Sequence, residues 1–149
     1  MTGKIVYAYV VADLLHMGHV LFLENAKTFA GSDGKLIVGV LTDEATMEKK
    51  PKPTLPLSER MKLVQSLKCV DITVAQDTYS PLKNVMAIKP DILIESSSHS
   101  EMPANEYMIS QGKKVVALPY YSAQSSSNIK ESIINTKRQM DELNVNYYK

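Results

Sequence analysis

The sequence is poor in cysteine, tryptophan and arginine. Its 149 residues contain one cysteine, Cys69, and no tryptophan, and only Arg60 and Arg138 among the 17 basic residues are arginines. A single cysteine excludes an internal disulfide and a CxxC metal or redox motif. Basic and acidic residues nearly balance, at a formal net charge of +1. This balance argues against a disordered charged tail and against a surface built to bind a nucleic-acid polymer.

Long apolar runs are also missing. No such run approaches the roughly 20 residues that a membrane span requires, and no charged segment followed by a long apolar one indicates a secretory signal. We therefore expect a protein that works in the cytoplasm and not in a membrane. With 44% hydrophobic residues, the chain can bury a core of its own, and we expect a single domain over 1–149.

Familiar phosphate-binding and nucleophile motifs are absent as well. The sequence has no GxxxxGK[ST] loop, no GxGxxG after the first apolar run and no GxSxG. These absences exclude a P-loop, the dinucleotide-binding fingerprint and a serine nucleophile elbow.

Short apolar runs alternate with helical patterns along the chain. Strands are predicted at 5–11, 35–41, 72–74, 92–94 and 114–118, and helices at 18–30, from Leu57 with Ser58 as N-cap, at 81–88, at 104–111 and from Ser125 to about Leu143. Such alternation is typical of a parallel sheet with helices on both faces. The sequence thus predicts an α/β fold, a doubly wound Rossmann-like parallel five-stranded sheet, with ligands at the carboxyl ends of its strands.

Two of the three histidines follow the first predicted strand, in the run His16-Met17-Gly18-His19. Gly18 lets a ligand approach the backbone, and the start of the next helix favours an anion. Imidazole N–H groups there could donate hydrogen bonds to phosphate oxygens. The alternative is a helix cap beside a core histidine. A zinc site that includes Asp13 is disfavoured, because two histidines without a third close ligand make a poor set.

Two other segments should reach the same edge of the sheet. Lys49, Lys50 and Lys52 lie among prolines and could close over a polyphosphate, although a charge run is often only a solvated surface. The serines at 125–127 precede the last helix and provide either a second anion site or a simple N-cap. The polar run at 96–100 could hydrogen-bond a base or a substrate, or be an ordinary loop.

In order and spacing, these motifs resemble the cytidylyltransferase branch of the HxGH nucleotidylyltransferases. The similar segments are 13–19, 42–44, Lys49, 59–60 and 125–130, and the likeness spans nearly the whole chain. Glycerol-3-phosphate and phosphonate cytidylyltransferases are similar in particular. The resemblance implies transfer of CMP from CTP to a small phosphonate or phospho-alcohol, with Mg²⁺ as cofactor, pyrophosphate as product and a homodimer as the assembly.

The resemblance also implies roles for individual residues. The catalytic residues would be His16, His19 and Lys49. The nucleotide would be bound by Val10, Val11, Gly18, Ser97, Ser125 and Ser126, and the acceptor substrate by Lys52, Arg60 and Tyr79, with no metal ligand from the protein. Arg60 matches an arginine of the family that supports either the acceptor site or the fold. A phosphate or phosphonate nucleophile is already deprotonated near neutral pH, so catalysis would rest on positioning and charge neutralisation.

Three segments depart from the family pattern. The usual Gly-Thr-Phe is Val10-Val11-Ala12 here, the usual Arg-Thr is Tyr120-Tyr121, and the GDDW-like segment is Ser96-Ser97-Ser98-His99. These departures leave two alternatives to a cytidylyltransferase: an adenylyltransferase that uses ATP, and a nucleotide-binding regulatory domain without turnover.

Overall fold

Strands and helices alternate along residues 3–96, 102–119 and 125–143, which a computed structural model of the chain describes. The strands are β1 (Ile5–Val10), β2 (Lys35–Leu41), β3 (Ile72–Gln76), β4 (Ile92–Ser96) and β5 (Lys114–Leu118). The helices are α1 (Met17–Thr28), α2 (Asp43–Met47), α3 (Leu57–Gln65), α4 (Leu82–Ile88), α5 (Met102–Ser110) and α6 (Ser126–Glu142). The predicted alternation is confirmed.

The strands form one parallel sheet in the order β3-β2-β1-β4-β5. The strand order reverses at β1, because β2 lies on one side of it and β4 on the other. A doubly wound sheet binds its ligands beside such a reversal, at the carboxyl ends of the strands. The predicted Rossmann-like fold class is therefore confirmed, and the histidine turn that follows β1 lies at the expected place.

The core fills both faces of the sheet, as near-continuous apolar strands require. On one face, Val6 and Val38 are fully buried together with Leu23 of α1 and Val64 of α3. On the other face, the core contains residues of β1, β2 and β4 with α2, α4 and α5, namely Tyr7, Tyr9, Ile37, Leu41, Ala45, Val85, Leu93, Ala104 and Met108. The two faces together hold the sheet rigid beneath the loops at its carboxyl edge.

Several predicted boundaries differ from the structure by one or two residues, and two differences bear on the site. Strand β1 ends at Val10 and not at Val11, and the chain turns at Ala12, whose φ of 56° lies in the left-handed region. Helix α3 begins at Leu57 with Pro56 as its N-cap residue and no side-chain cap, so Ser58 is not the cap. The fixed φ of proline already directs the chain into the first turn. No helix within the described residues combines the length and apolarity needed to cross a membrane.

Candidate active site

The two histidines cap the start of α1 reciprocally. His16 is the N-cap residue, and its Nδ1 accepts a hydrogen bond from the backbone N–H of Gly18 at 3.0 Å. His19, three residues later, accepts a hydrogen bond at its own Nδ1 from the backbone N–H of His16 at 3.2 Å. The two ring centroids are 4.1 Å apart. This is the geometry of a capping box, with imidazoles in place of the usual hydroxyl and carboxylate.

The cap determines which nitrogen of each imidazole carries the proton. A nitrogen that accepts a hydrogen bond has no proton, so each neutral ring must be protonated at Nε2. Burial lowers the pKa of His16 below its ordinary value. Burial also lowers the pKa of His19, with smaller effects from His16 and Lys50, to about 4. At neutral pH both rings are therefore uncharged, and each has an Nε2–H group to donate.

The helix-cap interpretation of the histidine motif is confirmed for His16, and phosphate recognition stays a prediction. His16 is a helix cap, and His19 is largely buried, as the structural interpretation predicts. The same hydrogen bonds leave two N–H donors side by side at the start of a helix, as phosphate recognition requires. A cap made by serine or aspartate would satisfy the backbone equally well but would have no second donor nitrogen.

The lysine segment, which we define as residues 49–55, follows α2 and lies near the histidine turn. The ammonium of Lys49 lies 4.9 Å from the centroid of the Tyr79 ring, within the range of a cation–π interaction. Lys50 is close enough to His19 to lower its pKa, and partial burial lowers the pKa of Lys50 itself. Lys52 is exposed. The structure thus brings Lys50 to the histidines, although the sequence pointed to Lys49 and Lys52.

The start of α6 meets the histidine turn through Ser126. Its hydroxyl donates a hydrogen bond to the carbonyl of Leu14 at 3.1 Å and accepts one from the Leu14 N–H at 3.3 Å. Ser125 is the N-cap residue, and its hydroxyl accepts a hydrogen bond from the N–H of Asn128 at 3.0 Å. The predicted cap by this serine run is confirmed. The Ser126 hydroxyl fixes the helix start beside the turn, and the backbone N–H groups of the first turn of α6 remain the anion-attracting feature.

Asp13 joins three segments of the site. One carboxylate oxygen is bonded to the ammonium of Lys130 on α6, and the other accepts a hydrogen bond from the N–H of Leu55 at 2.9 Å. Its burial raises the pKa of Asp13. The hydrogen bonds from Lys130 and from the N–H groups of Thr54 and Leu55 outweigh that effect, and the pKa lies below its ordinary value. A charged Asp13 therefore connects the histidine turn, the lysine segment and α6.

Arg60 does not occupy the predicted acceptor site. Its side chain is fully buried, with Nε donating to the Leu55 carbonyl at 2.9 Å and Nη1 to the carbonyls of Val11 and Leu41 at 2.8 and 2.7 Å. Nη2 is bonded to Asp43 at 2.6 Å. The guanidinium satisfies carbonyls where β1 and β2 end, so the predicted substrate contact is corrected to a structural role.

Tyr79 also differs from its prediction as a residue that contacts the substrate. It is 6% exposed and packs in the core with Tyr7 and Val85, so its ring supports Lys49 instead. Val10 and Val11 lie at the end of β1, and Gly18 is buried in the first turn of α1. Roles in nucleotide binding for these three residues remain predictions. The predicted contact Ser97 and the departures at 98–99 and 120–121 lie outside the described residues.

The magnesium ion that the family implies has no cage of protein ligands here. Within the described residues, no group of three histidine, cysteine, aspartate or glutamate side chains could hold a metal. Asp13 in the histidine turn forms an ion pair with Lys130, and Asp43 at the start of α2 forms one with Arg60. Magnesium commonly binds through one or two carboxylates and the phosphates of a substrate. The described residues therefore do not fit a dedicated magnesium site.

The fold and the histidine motif are those of the HxGH nucleotidyltransferase superfamily. A family model described as "Cytidylyltransferase-like" matches residues 9–135. The chain therefore belongs to the cytidylyltransferase-like family, as its motifs predict.

Similar proteins carry several names. A "Bifunctional protein HldE" of Helicobacter hepaticus is 33% identical over 139 residues, 91% of this chain and 27% of the relative. The chain thus spans about a quarter of the length of the HldE relatives. An "FAD synthase" of Korarchaeum cryptofilum is 35% identical over 127 residues, 82% of this chain and 86% of the relative.

Solved structures share the fold. The lipopolysaccharide core biosynthesis protein from Thermoplasma volcanium GSS1 superposes with a TM-score of 0.70 at 26% identity, covering 80% of this chain and 99% of that one. A protein of unknown function from Archaeoglobus fulgidus, at 20% identity and a TM-score of 0.63, shares the fold.

Lys50 and Lys130 lie in segments that the sequence pointed to, but neither was given a role at the site. Lys50 stands in the predicted lysine run, but a run alone does not show which ammonium faces the histidines. Lys130 lies one turn into α6, so it reaches the same edge as Ser126. That spacing is the signal that could have identified Lys130, since residues four apart share a helix face.

Proposed function

We propose that this chain transfers CMP from CTP to a phosphate or phosphonate oxygen of a small acceptor and releases pyrophosphate. The observation that carries the proposal is the reciprocal cap, which leaves two neutral Nε2–H donors next to Lys50 at the carboxyl edge of the sheet. Donors fixed in advance at such a place stabilise charge that develops in a transition state.

Each group has a defined part in the proposed reaction. The acceptor oxygen attacks the α-phosphorus of the nucleotide, and the bond from that phosphorus to the bridging oxygen of the β-phosphate breaks. His16 and His19 donate hydrogen bonds to the phosphate oxygens on which charge accumulates. Lys49, Lys50 and the start of α6 neutralise the leaving pyrophosphate, and Lys52 assists at the acceptor. No general base is needed, because the acceptor oxygen is already deprotonated near neutral pH.

The choice of CTP rests on the family description and on the motifs that resemble cytidylyltransferases. ATP is a second candidate, which the similarity to FAD synthases favours, because FAD contains an adenylate unit. The two candidates share the same phosphate chemistry and differ only in the base. The residues expected near the base, at 97–99 and 120–121, lie outside the described ranges.

Pyrophosphate release tests the proposal. The protein would be incubated with each of the four nucleoside triphosphates, Mg²⁺ and a panel of small phosphonates and phosphate monoesters. Release with CTP alone supports cytidylyl transfer, and release with ATP alone supports adenylyl transfer. Nucleotide binding without turnover on any acceptor would favour the regulatory domain. Turnover that survives unchanged in a His16→Asn variant would contradict the assigned site.

The proposal also covers the assembly and the surroundings of the protein. We propose a single domain over 1–149, a homodimer, a cytoplasmic location, and no nucleic-acid polymer or membrane as partner. The near-zero net charge and the family resemblance support these proposals. Light scattering on a sizing column measures the molar mass directly, and a value near 16.6 kDa at all concentrations would contradict the homodimer.

A further inference from the structure

A buried tyrosine crosses the middle of the sheet. Gly39 lies on β2, between β1 and β3, and a Cβ atom placed on it would lie 1.9 Å from the hydroxyl oxygen of Tyr7. The missing side chain thus makes room for the Tyr7 phenol to pass over β2 and reach β3. Tyr7 is fully buried, and burial raises its pKa, so the hydroxyl keeps its proton as a hydrogen-bond donor.

Tyr7 reaches Gln76, the last residue of β3. Its hydroxyl donates a hydrogen bond to Gln76 Oε1 at 2.5 Å. The amide nitrogen of Gln76 then donates to the carbonyls of Thr78 and Tyr79 at 3.1 and 3.2 Å. Gln76 is 1% exposed, and its buried amide therefore holds the turn after β3 through two hydrogen bonds. Asn84 of α4 completes the arrangement by donating to the Tyr7 hydroxyl at 3.0 Å.

The turn held by Gln76 supports the lysine segment at two points. The backbone N–H of Tyr79 donates to the carboxylate of Glu48 at 2.9 Å. The ring of Tyr79 lies beneath the ammonium of Lys49. Glu48 is the C-cap residue of α2 and Lys49 is the first residue of the lysine segment. The turn after β3 therefore contacts the chain where α2 ends and the lysine segment begins.

We propose that Gln76 and Tyr79 are positioning residues that set the place of Lys49 above the sheet edge. The route runs from Tyr7 in the core, through the Gln76 amide and the 78–79 carbonyls, to the aromatic face on which the ammonium rests. The proposal rests on the proposed function only in that Lys49 binds a substrate phosphate. The position of Lys49 itself is independent of what Lys49 binds.

A purely structural role for these side chains fits the arrangement less well. Core volume alone would be filled at lower desolvation cost by apolar side chains. Here the partly buried Asn84 amide donates to the buried Tyr7 phenol, which donates to the buried Gln76 amide. Gln76 in turn donates to two carbonyls of one short turn, and that turn contacts Glu48 and Lys49. A buried polar network whose members are partnered in this way defines a unique local geometry.

A double-mutant cycle tests whether Tyr79 acts through Lys49. In the otherwise unchanged chain, Tyr79→Leu should raise the KM of the substrate that Lys49 contacts about two- to fivefold, with kcat nearly unchanged, since an exposed cation–π contact is of that size. In a Lys49→Met background, the same Tyr79→Leu change should have no effect on KM. Tyr79→Phe keeps the ring and should keep the coupling to Lys49. An equal factor in both backgrounds would overturn the proposal.

The position of Lys49 can also be measured without any reaction. In protein labelled with ¹³C at the lysine ε-carbon, the Lys49 signal should be shifted upfield by the ring current of Tyr79, with Lys49→Met providing the assignment. We expect the shift to be retained in Tyr79→Phe, lost in Tyr79→Leu and reduced in Gln76→Met. A Lys49 signal at the position of the exposed lysines in the unchanged chain would contradict the proposal.

These two measurements separate the proposals. If Lys49→Met leaves both KM values and kcat unchanged, the proposed role of Lys49 in phosphate binding fails, while the ring-current shift still decides the positioning. If Tyr79→Leu does not fold, Gln76→Met in the same spectra tests the positioning of Lys49. This variant keeps the Tyr79 ring and removes only the hydrogen bonds from Gln76 to the turn. An unchanged shift in a folded Gln76→Met variant would remove Gln76 from the proposal.

Discussion

The two helix starts that meet at the site are attached to the molecule in different ways. Helix α1 is anchored in the core, where Leu23 and Ala26 are fully buried. Helix α6 has 17 residues and none of them is buried. It is attached at its first turns by the hydroxyl of Ser126 and by the ion pair of Lys130 with Asp13.

This difference separates a rigid from an adjustable half of the site. Apolar burial does not depend on charge, so the histidine turn should hold its geometry as long as the core is folded. A helix held by polar contacts near solvent is sensitive to charge and to the loss of single bonds, and such elements have low local stability. Changes at α1 should therefore affect chemistry or global stability, and changes at α6 should affect nucleotide affinity.

The largest effect should follow from removing one donor of the histidine turn. In His16→Asn the side-chain oxygen can still cap α1, since asparagine is among the best N-cap residues, but the Nε2–H donor is lost. We expect kcat to fall about 100- to 1,000-fold, because the loss of one hydrogen-bond donor to a developing oxyanion has an effect of that size. Thermal melting should shift by only a few degrees. A fall in kcat that comes with general unfolding would mean that the cap and not the donor was lost.

The rigid half should also control acid stability. The pKa of His19 is about 4 in the folded chain and near 6.5 when unfolded, so the unfolded state binds an extra proton between these pH values. The free energy of unfolding should therefore decrease as the pH falls from about 6.5 to 4, by on the order of 2 kcal/mol. Chemical denaturation at several pH values measures this slope. A His19→Asn variant should lose most of it, and an undiminished slope would assign the effect elsewhere.

The adjustable half should respond to the charge of Asp13. Asp13→Asn keeps an acceptor for the Leu55 N–H and removes the ion pair with Lys130. We expect the KM of the nucleotide to rise about tenfold, because a charge-assisted hydrogen bond is lost, with kcat nearly constant. Asp141→Asn is a matched control, since Asp141 forms an exposed pair with Lys137 further along the same helix. Equal effects of the two variants would contradict a specific role for Asp13.

The smallest effect should come from the hydroxyl of Ser126. Ser126→Ala removes both hydrogen bonds to Leu14, which together contribute about 1 kcal/mol. We expect a three- to fivefold rise in nucleotide KM and no change in kcat. Ser132→Ala, on an exposed turn of the same helix, serves as the control for serine loss. A change in kcat without a change in KM would place Ser126 in the chemistry and not in the docking of α6.

Much of the fold, and the sheet edge at which the site lies, could be predicted from the sequence. Apolar runs and helical patterns gave the alternation of the sheet, and the motif order gave the family. The histidine turn and the serine run were predicted at the correct edge because both directly flank regular elements. In such positions the local sequence determines the local structure.

The errors have a common physical origin in long-range contacts. A role at the acceptor site was one of two predicted for Arg60, because it matches an arginine of the family motif at 59–60. Its true partners are carbonyls where β1 and β2 end, 49 and 19 residues away in sequence, respectively. Lys50 is close enough to His19 to lower its pKa, and a charge run has no pattern that shows which of its lysines comes closest. The link from Tyr7 over Gly39 to Gln76 joins three strands.

The imidazole nitrogens themselves test the central claim most directly. Long-range ¹H–¹⁵N spectra of ¹⁵N-histidine-labelled protein distinguish protonated from unprotonated ring nitrogens. At pH 7 we predict that His16 and His19 are neutral, protonated at Nε2 and unprotonated at Nδ1, and that both Nε2 signals shift when CTP or ATP is added. Rings protonated at Nδ1 or on both nitrogens, or Nε2 signals that neither nucleotide moves, would contradict the account.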